Sequence, residues 1–596
     1  MLAIILISTL LFINEASKCD ECELKKYIYS ILGASLLAGT SLVGIISLLT
    51  GFLQITWLPI WTIGTGSLLC FISTKQKTLN TERIIHAIKN EFNKLKDISK
   101  SNKLAYLFLS VFVGLIIASS VGPINHPDAA NYHVGYPFQI YSQNKLFVDG
   151  GLHQGLLGLA DFAYLAFYQE NLSWLIKTSQ ILFFIPLIAY LINQKTNLLL
   201  VLAFATTPLL LQWTTIGKPI FLAESIIAVS YLTWNSNKSS KSSFLLIVCL
   251  ILGSCFKISS LIIAIPILAH LAFFYSFKFK KEQLHLILRC NIVLISICLV
   301  SVVTILVTRF YFTSNPLYPL FSSYFTPNDW QKLKFELMLK NYNGVGEPFP
   351  ISLFIPTSLN FIYSNIGAGL SIALLLSTLN KNNAINLSSK LFVGLFQLIL
   401  ILVIGQKRGD YFASPAIILL CGSSMNSDLN SISEALSKVL FKVFKYIALP
   451  IQIAISLIGL LVSTSHNVWA IFNYEKMMNH TAYGYQLTKA IEKHSKGQRS
   501  LNFLLRNTML YRQDHNFIGK DKILLCIGNK VNKNNKLIEC LKKYKIRVVA
   551  LSNSDRLKLE SKNLECIQKE IKIPARNPFN SSKFVSYICK FKAFAN

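Results

Sequence analysis

Four side chains able to take, give or hold a proton fall within eight positions, His126, Asp128, Tyr132 and His133, in the stretch Gly122-Pro-Ile-Asn-His-Pro-Asp-Ala-Ala-Asn-Tyr-His-Val-Gly-Tyr-Pro137. The stretch begins where the apolar run 104–121 ends. A carboxylate there meets low polarity on one side and water on the other, so its basicity can be set over a wide range. Asp128 is therefore a candidate general base, able to take the proton of an attacking hydroxyl. It is equally placed, after Pro127, to cap a surface helix running to about Gln143. For His126 and His133 the choices are proton handling, a divalent cation, or plain surface positions beside a proline turn. No metal or other cofactor is predicted.

The elements that must position this loop are set by composition. The chain has 596 residues, mean hydropathy +0.47, 52% hydrophobic and 14% charged residues, against about a quarter charged in soluble domains. Its apolar residues come in blocks of roughly 18–22, the length that crosses a hydrocarbon core. An all-α polytopic transmembrane bundle of about 13–14 spans is predicted, with external juxtamembrane helices and a small C-terminal α/β soluble domain. The spans are expected at 1–14, 27–49, 52–73, 104–121, 174–193, 197–213, 219–235, 244–256, 258–276, 291–311, 361–379, 390–405, 411–425 and 444–464.

Lys75, Lys77, Arg83, Lys89, Lys94, Lys96, Lys100 and Lys103 crowd one loop, which places it in the cytoplasm. The division that follows is 1–73 as N-terminal helices, 74–103 as the basic cytoplasmic loop, 104–464 as the main membrane module and 465–596 as an external soluble domain. Residues 122–173 and 312–360 become external loops of a multi-pass inner-membrane protein. Segment 156–168 is expected to dip into the membrane without crossing, because a crossing would turn the basic turns at 238–241 and 278–289 outward. Ile84, Ile85, Ile88, Phe92 and Leu95 recur at helical spacing within the basic loop, which fits a helix on the inner leaflet or a solvated one.

The formal charge of +30 is thus mainly topological. The Lys-rich tail suits anionic headgroups or a phosphate-bearing substrate, and no nucleic-acid module accompanies the charge. Of the 12 cysteines, Cys70, Cys249, Cys255, Cys290, Cys298 and Cys421 lie in apolar runs as small hydrophobes. Cys19 and Cys22 form a CxxC without the second pair that a structural zinc site requires. Cys526, Cys540, Cys566 and Cys589 are expected to form disulfides if their domain faces an oxidising compartment, with the pairing open. In that domain, 522–528 and 546–551 are apolar runs and 536–544 is helix-like.

Asp128-Ala-Ala-Asn-Tyr132-His133, with Gly150-Gly151 downstream, resembles the first external loop of bacterial C-type (GT-C) membrane glycosyltransferases. Further features follow in the same order: Thr215-Ile-Gly-Lys218-Pro, Gly253-Ser-Cys-Phe-Lys257, Asn315-Pro316-Leu-Tyr318-Pro319, and Gly405-Gln-Lys-Arg408-Gly-Asp-Tyr411. The last departs from the family's Arg-Tyr pair by two intervening residues, and the helices before 104 are additional to the family's usual start. The resemblance implies a polyprenyl-phosphate sugar donor, a sugar or lipid-linked acceptor, and inversion at the anomeric carbon. Asp128 would be the base, with His126, Tyr132 and His133 in support. Arg408, Lys218 and Lys257 would hold the donor phosphate, while Asn315, Pro316, Tyr318 and Pro319 shape the cavity.

If that reading holds, Asp128, Lys218, Lys257 and Arg408 converge on one external site. The alternative for both lysines is to extend to the outer headgroups. Glu224, costly inside a span, is expected to face the bundle interior with Lys218 as a partner. The competing functional classes are a transporter or flippase, which would show inverted repeats, and a lipid-linked polysaccharide polymerase or ligase.

Overall fold

The computed structural model describes residues 1–54, 84–91, 93, 103–146, 152–274, 291–318, 366–379, 387–403, 411–423, 432–504, 509–512, 516–518, 523, 526–527, 533–553, 556, 564–574 and 581–591. Among these, five helical stretches are long and apolar enough to cross a membrane: Cys22–Gly51, Lys103–Ser120, Ser173–Asn193, Ile292–Thr313 and Leu436–Phe472. Shorter apolar helices stand beside them at Leu2–Ser17, Ser240–Phe256, Ile258–Ala272, Ala368–Leu379 and Ser388–Val403. Of the expected span 52–73 only 52–54 are described, at the end of the helix Glu21–Leu53. The expected span 197–213 is two helices, Leu198–Ala205 and Pro208–Ile216. They are broken where Pro208, which has no N–H to give, opens the second.

Apolar faces are turned outward along several of these helices. Leu104, Leu107 and Val111 are exposed on one, Leu299, Val303 and Val307 on another, and Ile451, Ile458 and Phe472 on a third. Stripes of that kind belong against lipid. The protein is a helical membrane protein with a small sheet at its C-terminal end.

The long helix Glu21–Leu53 runs through the centre of the bundle. Asp20 opens it, its carboxylate accepting the Glu23 N–H at 2.7 Å. A Cβ on Gly44 would stand 2.1 Å from the Leu159 carbonyl oxygen, so only glycine lets segment 159–169 lie against this helix. That segment is two helices of five residues each, Leu159–Ala163 and Leu165–Gln169. At about 1.5 Å per residue neither approaches the roughly 30 Å of a hydrocarbon core.

Polar contacts sort into two ends. At one end Tyr27 Oη meets Ser239 Oγ at 2.8 Å, Lys241 Nζ meets Cys19 Sγ at 2.8 Å, and Glu91 accepts from Tyr29 Oη at 2.8 Å. Helix 84–91 of the basic segment is tied there through Glu91, with Ile85 exposed on its apolar face. At the other end the Met1 ammonium pairs with Glu170 at 2.5 Å and the Leu146 N–H reaches the Gly51 carbonyl at 2.8 Å. The Asp128 loop belongs to this second end.

The C-terminal part carries a five-stranded sheet in the order β2-β1-β3-β5-β4, formed by β1 (Ser500–Asn502), β2 (Phe517–Ile518), β3 (Val548–Leu551), β4 (Leu564–Pro574) and β5 (Ser581–Phe591). β1 pairs in parallel with β2 and β3, whereas β5 is antiparallel to both β3 and β4. Leu487 and Ile491 of helix Tyr485–Ser495 pack on Val548, Ala550 and Ile588. On the other side Leu541 joins Leu501, Val549, Leu551 and Phe591. The expected helix 536–544 is Lys533–Lys543, and the apolar run 546–551 supplies β3. The cysteines pair as Cys526–Cys540 and Cys566–Cys589.

Candidate active site

Asp128 does not cap a helix. Its backbone is already helical, it makes no capping hydrogen bond, and a π-helical turn, Ala129–His133, follows before the helix Gly135–Gln143. Such turns re-aim side chains within a helical run. The Asp128 carboxylate is 3% exposed and its Oδ2 stands 2.9 Å from Lys218 Nζ. The Asp128 N–H donates to His126 Nδ1 at 3.3 Å.

Lys218 reaches the loop because the chain reverses just before it. Gly217 ends the helix Pro208–Ile216 at φ +71°, a left-handed conformation that glycine adopts without steric cost. Tyr164 Oη fixes that turn by donating to the Gly217 carbonyl at 3.0 Å, and Gln180 Nε2 donates to Tyr164 Oη at 2.6 Å. Glu224, fully buried as expected, accepts from the Ser414 N–H at 3.4 Å.

A second charged cluster adjoins the first. His133 Nδ1 lies 2.6 Å from Asp161 Oδ1, and Lys257 Nζ lies 3.6 Å from Asp161 Oδ2 and 3.4 Å from His133 Nδ1. The short Asp161 contact requires a proton on Nδ1, which leaves that nitrogen unable to accept from Lys257. Lys257 is thus an ion-pair partner of Asp161 that rests against the imidazole. Asp161 Oδ2 also accepts the Gly158 N–H at 2.8 Å. The Tyr132 ring packs 4.1 Å from the His133 ring, with Lys257 Nζ 6.0 Å above Tyr132.

Lys257 is buried and turned inward, so extension to the headgroups is excluded for it. It follows the helix Ser240–Phe256 in extended backbone at φ −152°, ψ 123°. A Cβ on Gly158 would stand 1.9 Å from the Phe256 carbonyl oxygen. That close approach brings Asp161 under Lys257. Asp161 was not singled out in the sequence. The signal was there as one carboxylate within Leu-Gly-Leu-Ala-Asp-Phe-Ala-Tyr-Leu, a run otherwise without charge.

Burial pushes the His133 imidazole down to about 4, Lys257 adds to the fall, and Asp161 pulls the other way. The ring is therefore neutral at physiological pH. Relative to an unfolded histidine near 6.5, the folded protein binds fewer protons between about pH 4 and 6.5. Its stability accordingly falls as pH drops through that window and is unaffected above it. His133→Gln should lose less thermal stability than the parent between pH 7.5 and 4.5 in detergent. Equal losses would assign the acid sensitivity to other groups.

The turn after helix Ile292–Thr313 closes one wall. Asn315 Oδ1 accepts the Leu317 N–H at 2.9 Å, and Thr313 Oγ1 donates to the Asn315 carbonyl at 3.1 Å. Pro316 lies in this turn, and the buried Tyr318 ring lies against Gly155, whose Cβ would meet it at 2.7 Å. Phe312 packs on Tyr136 at 5.8 Å and on Phe162 at 6.4 Å.

The C-terminal part forms another wall. Tyr511 Oη donates to the Ile124 carbonyl at 3.0 Å, Gln139 Nε2 donates to the Arg512 carbonyl at 3.2 Å, and the Tyr483 N–H donates to the Asn125 carbonyl at 3.1 Å. Asp128, Lys218, Lys257, Tyr132 and His133 thus come together. Arg408 and Pro319 lie outside the described residues. Among the described residues no group of three or more His, Cys, Asp or Glu side chains gathers as a metal site.

No family model and no curated protein matches the chain. Among solved structures it is similar to the arabinofuranosyltransferase AftD from mycobacteria, determined by cryo-electron microscopy. The likeness covers 83% of this chain and 40% of that one at 12% identity and a TM-score of 0.38. A mutant of the same enzyme matches over 82% and 41% of the two chains, again at 12% identity and a TM-score of 0.38. The chain spans about two fifths of the length of the structures it matches.

Proposed function

We propose that this chain is a membrane glycosyltransferase that moves a sugar from a polyprenyl-phosphate donor to a lipid, glycan or protein hydroxyl at the outer face of the membrane. The observation that carries the reading is the Asp128–Lys218 pair at 2.9 Å. It sets a carboxylate and an ammonium side by side where an apolar helix ends. In the reaction Asp128 takes the acceptor proton as the oxygen attacks the anomeric carbon. The bond from that carbon to the phosphate oxygen breaks and the lipid phosphate leaves as an anion. Lys218 shifts toward that anion, which lifts its hold on Asp128 and makes the carboxylate a better base at the moment it is needed. Lys257 stays paired with Asp161 beside His133.

The outward placement is supported by helix 84–91 of the basic segment and by Lys241, both at the opposite end, and by the Cys526–Cys540 and Cys566–Cys589 pairs, which suit an oxidising compartment. The test uses the purified full chain in lipid nanodiscs with radiolabelled polyprenyl-phosphate sugars and cell-envelope glycan acceptors. Label should pass to the acceptor from the lipid donor and not from nucleotide sugars. Transfer from nucleotide sugars alone, or unchanged lipid-linked sugar pools in a deletion strain, would sink the proposal.

A further inference from the structure

The helix Ile292–Thr313 carries a single charged residue, Arg309, within its apolar length. The guanidinium is 7% exposed, and its Nε and Nη2 make no hydrogen bond among the described residues. Nε and Nη2 form one edge of the planar guanidinium, the edge that grips a phosphate or carboxylate with two parallel hydrogen bonds. A cation so placed in a membrane helix is costly unless an anion meets it, and no carboxylate among the described residues pairs with it.

Its surroundings say which anion fits. On the same helix Val307 and Phe310 are 61% and 60% exposed, so they form part of the apolar outer surface. On the inner side Cys255, two residues before Lys257, is within electrostatic reach of Arg309. Phe312, three residues on, packs against Tyr136 and Phe162, which flank the Asp128 loop and Asp161. Arg309 therefore stands between a lipid-facing surface and the charged cluster. An anion on a hydrocarbon chain would arrive with its chain along Val307 and Phe310.

We infer that the Nε–Nη2 edge of Arg309 binds the phosphate of a lipid phosphomonoester whose chain lies along the outer face of helix Ile292–Thr313. This rests on the transfer reaction proposed above: the phosphomonoester is what the lipid donor leaves behind when its sugar departs, and Arg309 is the residue of this chain that holds it.

The test measures binding of geranylgeranyl phosphate to the purified full chain in neutral detergent, with inorganic phosphate and phosphatidylglycerol as parallel probes. Wild type should bind the prenyl phosphate in preference to both. Arg309→Met should weaken that binding by about tenfold or more, the range for losing a hydrogen bond to a charged group, and Arg309→Lys should restore part of it. With no ligand present Arg309→Met should melt no lower than wild type, since it removes a buried charge; a merely structural arginine would lower the melting point. Unchanged binding in Arg309→Met, equal weakening for phosphatidylglycerol, or a lowered melting point with binding intact each overturns the inference and leaves the transferase reading standing. Wild-type protein that binds no prenyl phosphate overturns both. Arg309-dependent binding without sugar transfer supports the inference and overturns the transferase reading alone.

Discussion

Asp128→Asn should lower kcat for sugar transfer by about two to four orders of magnitude, the contribution of a positioned proton acceptor. The amide keeps the size and the polar contacts of the side chain but cannot hold the acceptor's proton. Lys218, no longer facing the Asp128 charge, retains some access to water, so the variant should fold and melt close to wild type. Donor binding should be unimpaired or tighter, because Lys218 no longer divides its charge between Asp128 and phosphate. The measurement is initial rate against donor concentration in nanodiscs, with melting temperature as the control for folding. Full turnover by the Asn variant would remove Asp128 as the base.

The largest effect on stability is expected at Asp161. Its carboxylate is fully buried between His133 and Lys257. Asp161→Asn leaves the Lys257 ammonium buried without an opposite charge, a loss of about 3–5 kcal/mol where such pairs have been broken. The variant should therefore express poorly or melt well below wild type in detergent. Adding Lys257→Met removes the stranded charge and should recover much of the loss, since a buried pair replaced by apolar groups is often neutral. An Asp161→Asn protein as stable as wild type would mean that Lys257 is neutral or solvated in the folded state.

The contrast between Asp128 and Asp161 shows what the sequence could convey. Asp128 stood out because polar and aromatic residues crowd a short stretch directly after an apolar span, and both features are local. Asp161 is a lone acid in an apolar run, and only its neighbours, His133 at 28 residues and Lys257 at 96, make it more than a curiosity. Periodicity and length gave the helical class, and the sidedness of the basic turns gave a segment 156–168 too broken to cross, which is two helices of five residues. They did not show that the chain divides 198–216 at Pro208 or that one helix runs unbroken from Glu21 to Leu53. Of the sheet only β3 was read: β1 and β2 are two or three residues long and owe their pairing to partners far along the chain, while β4 and β5, eleven residues each, went unread. The resemblance named Lys257 without its partner. Arg309, hidden in a run of hydrophobic residues, required knowledge of which face of its helix is turned inward.

The hydrogen bond from Tyr511 to the Ile124 carbonyl joins residues 387 positions apart. Synthesis at about 5–20 residues per second separates the two by roughly 20–80 s. During that interval the Asp128 loop has already been delivered to its side of the membrane while one of its walls is still unmade. A chain that stopped between the last membrane helix and Tyr511 would be inserted with that side of the loop open, so the last fifth of the chain completes the site.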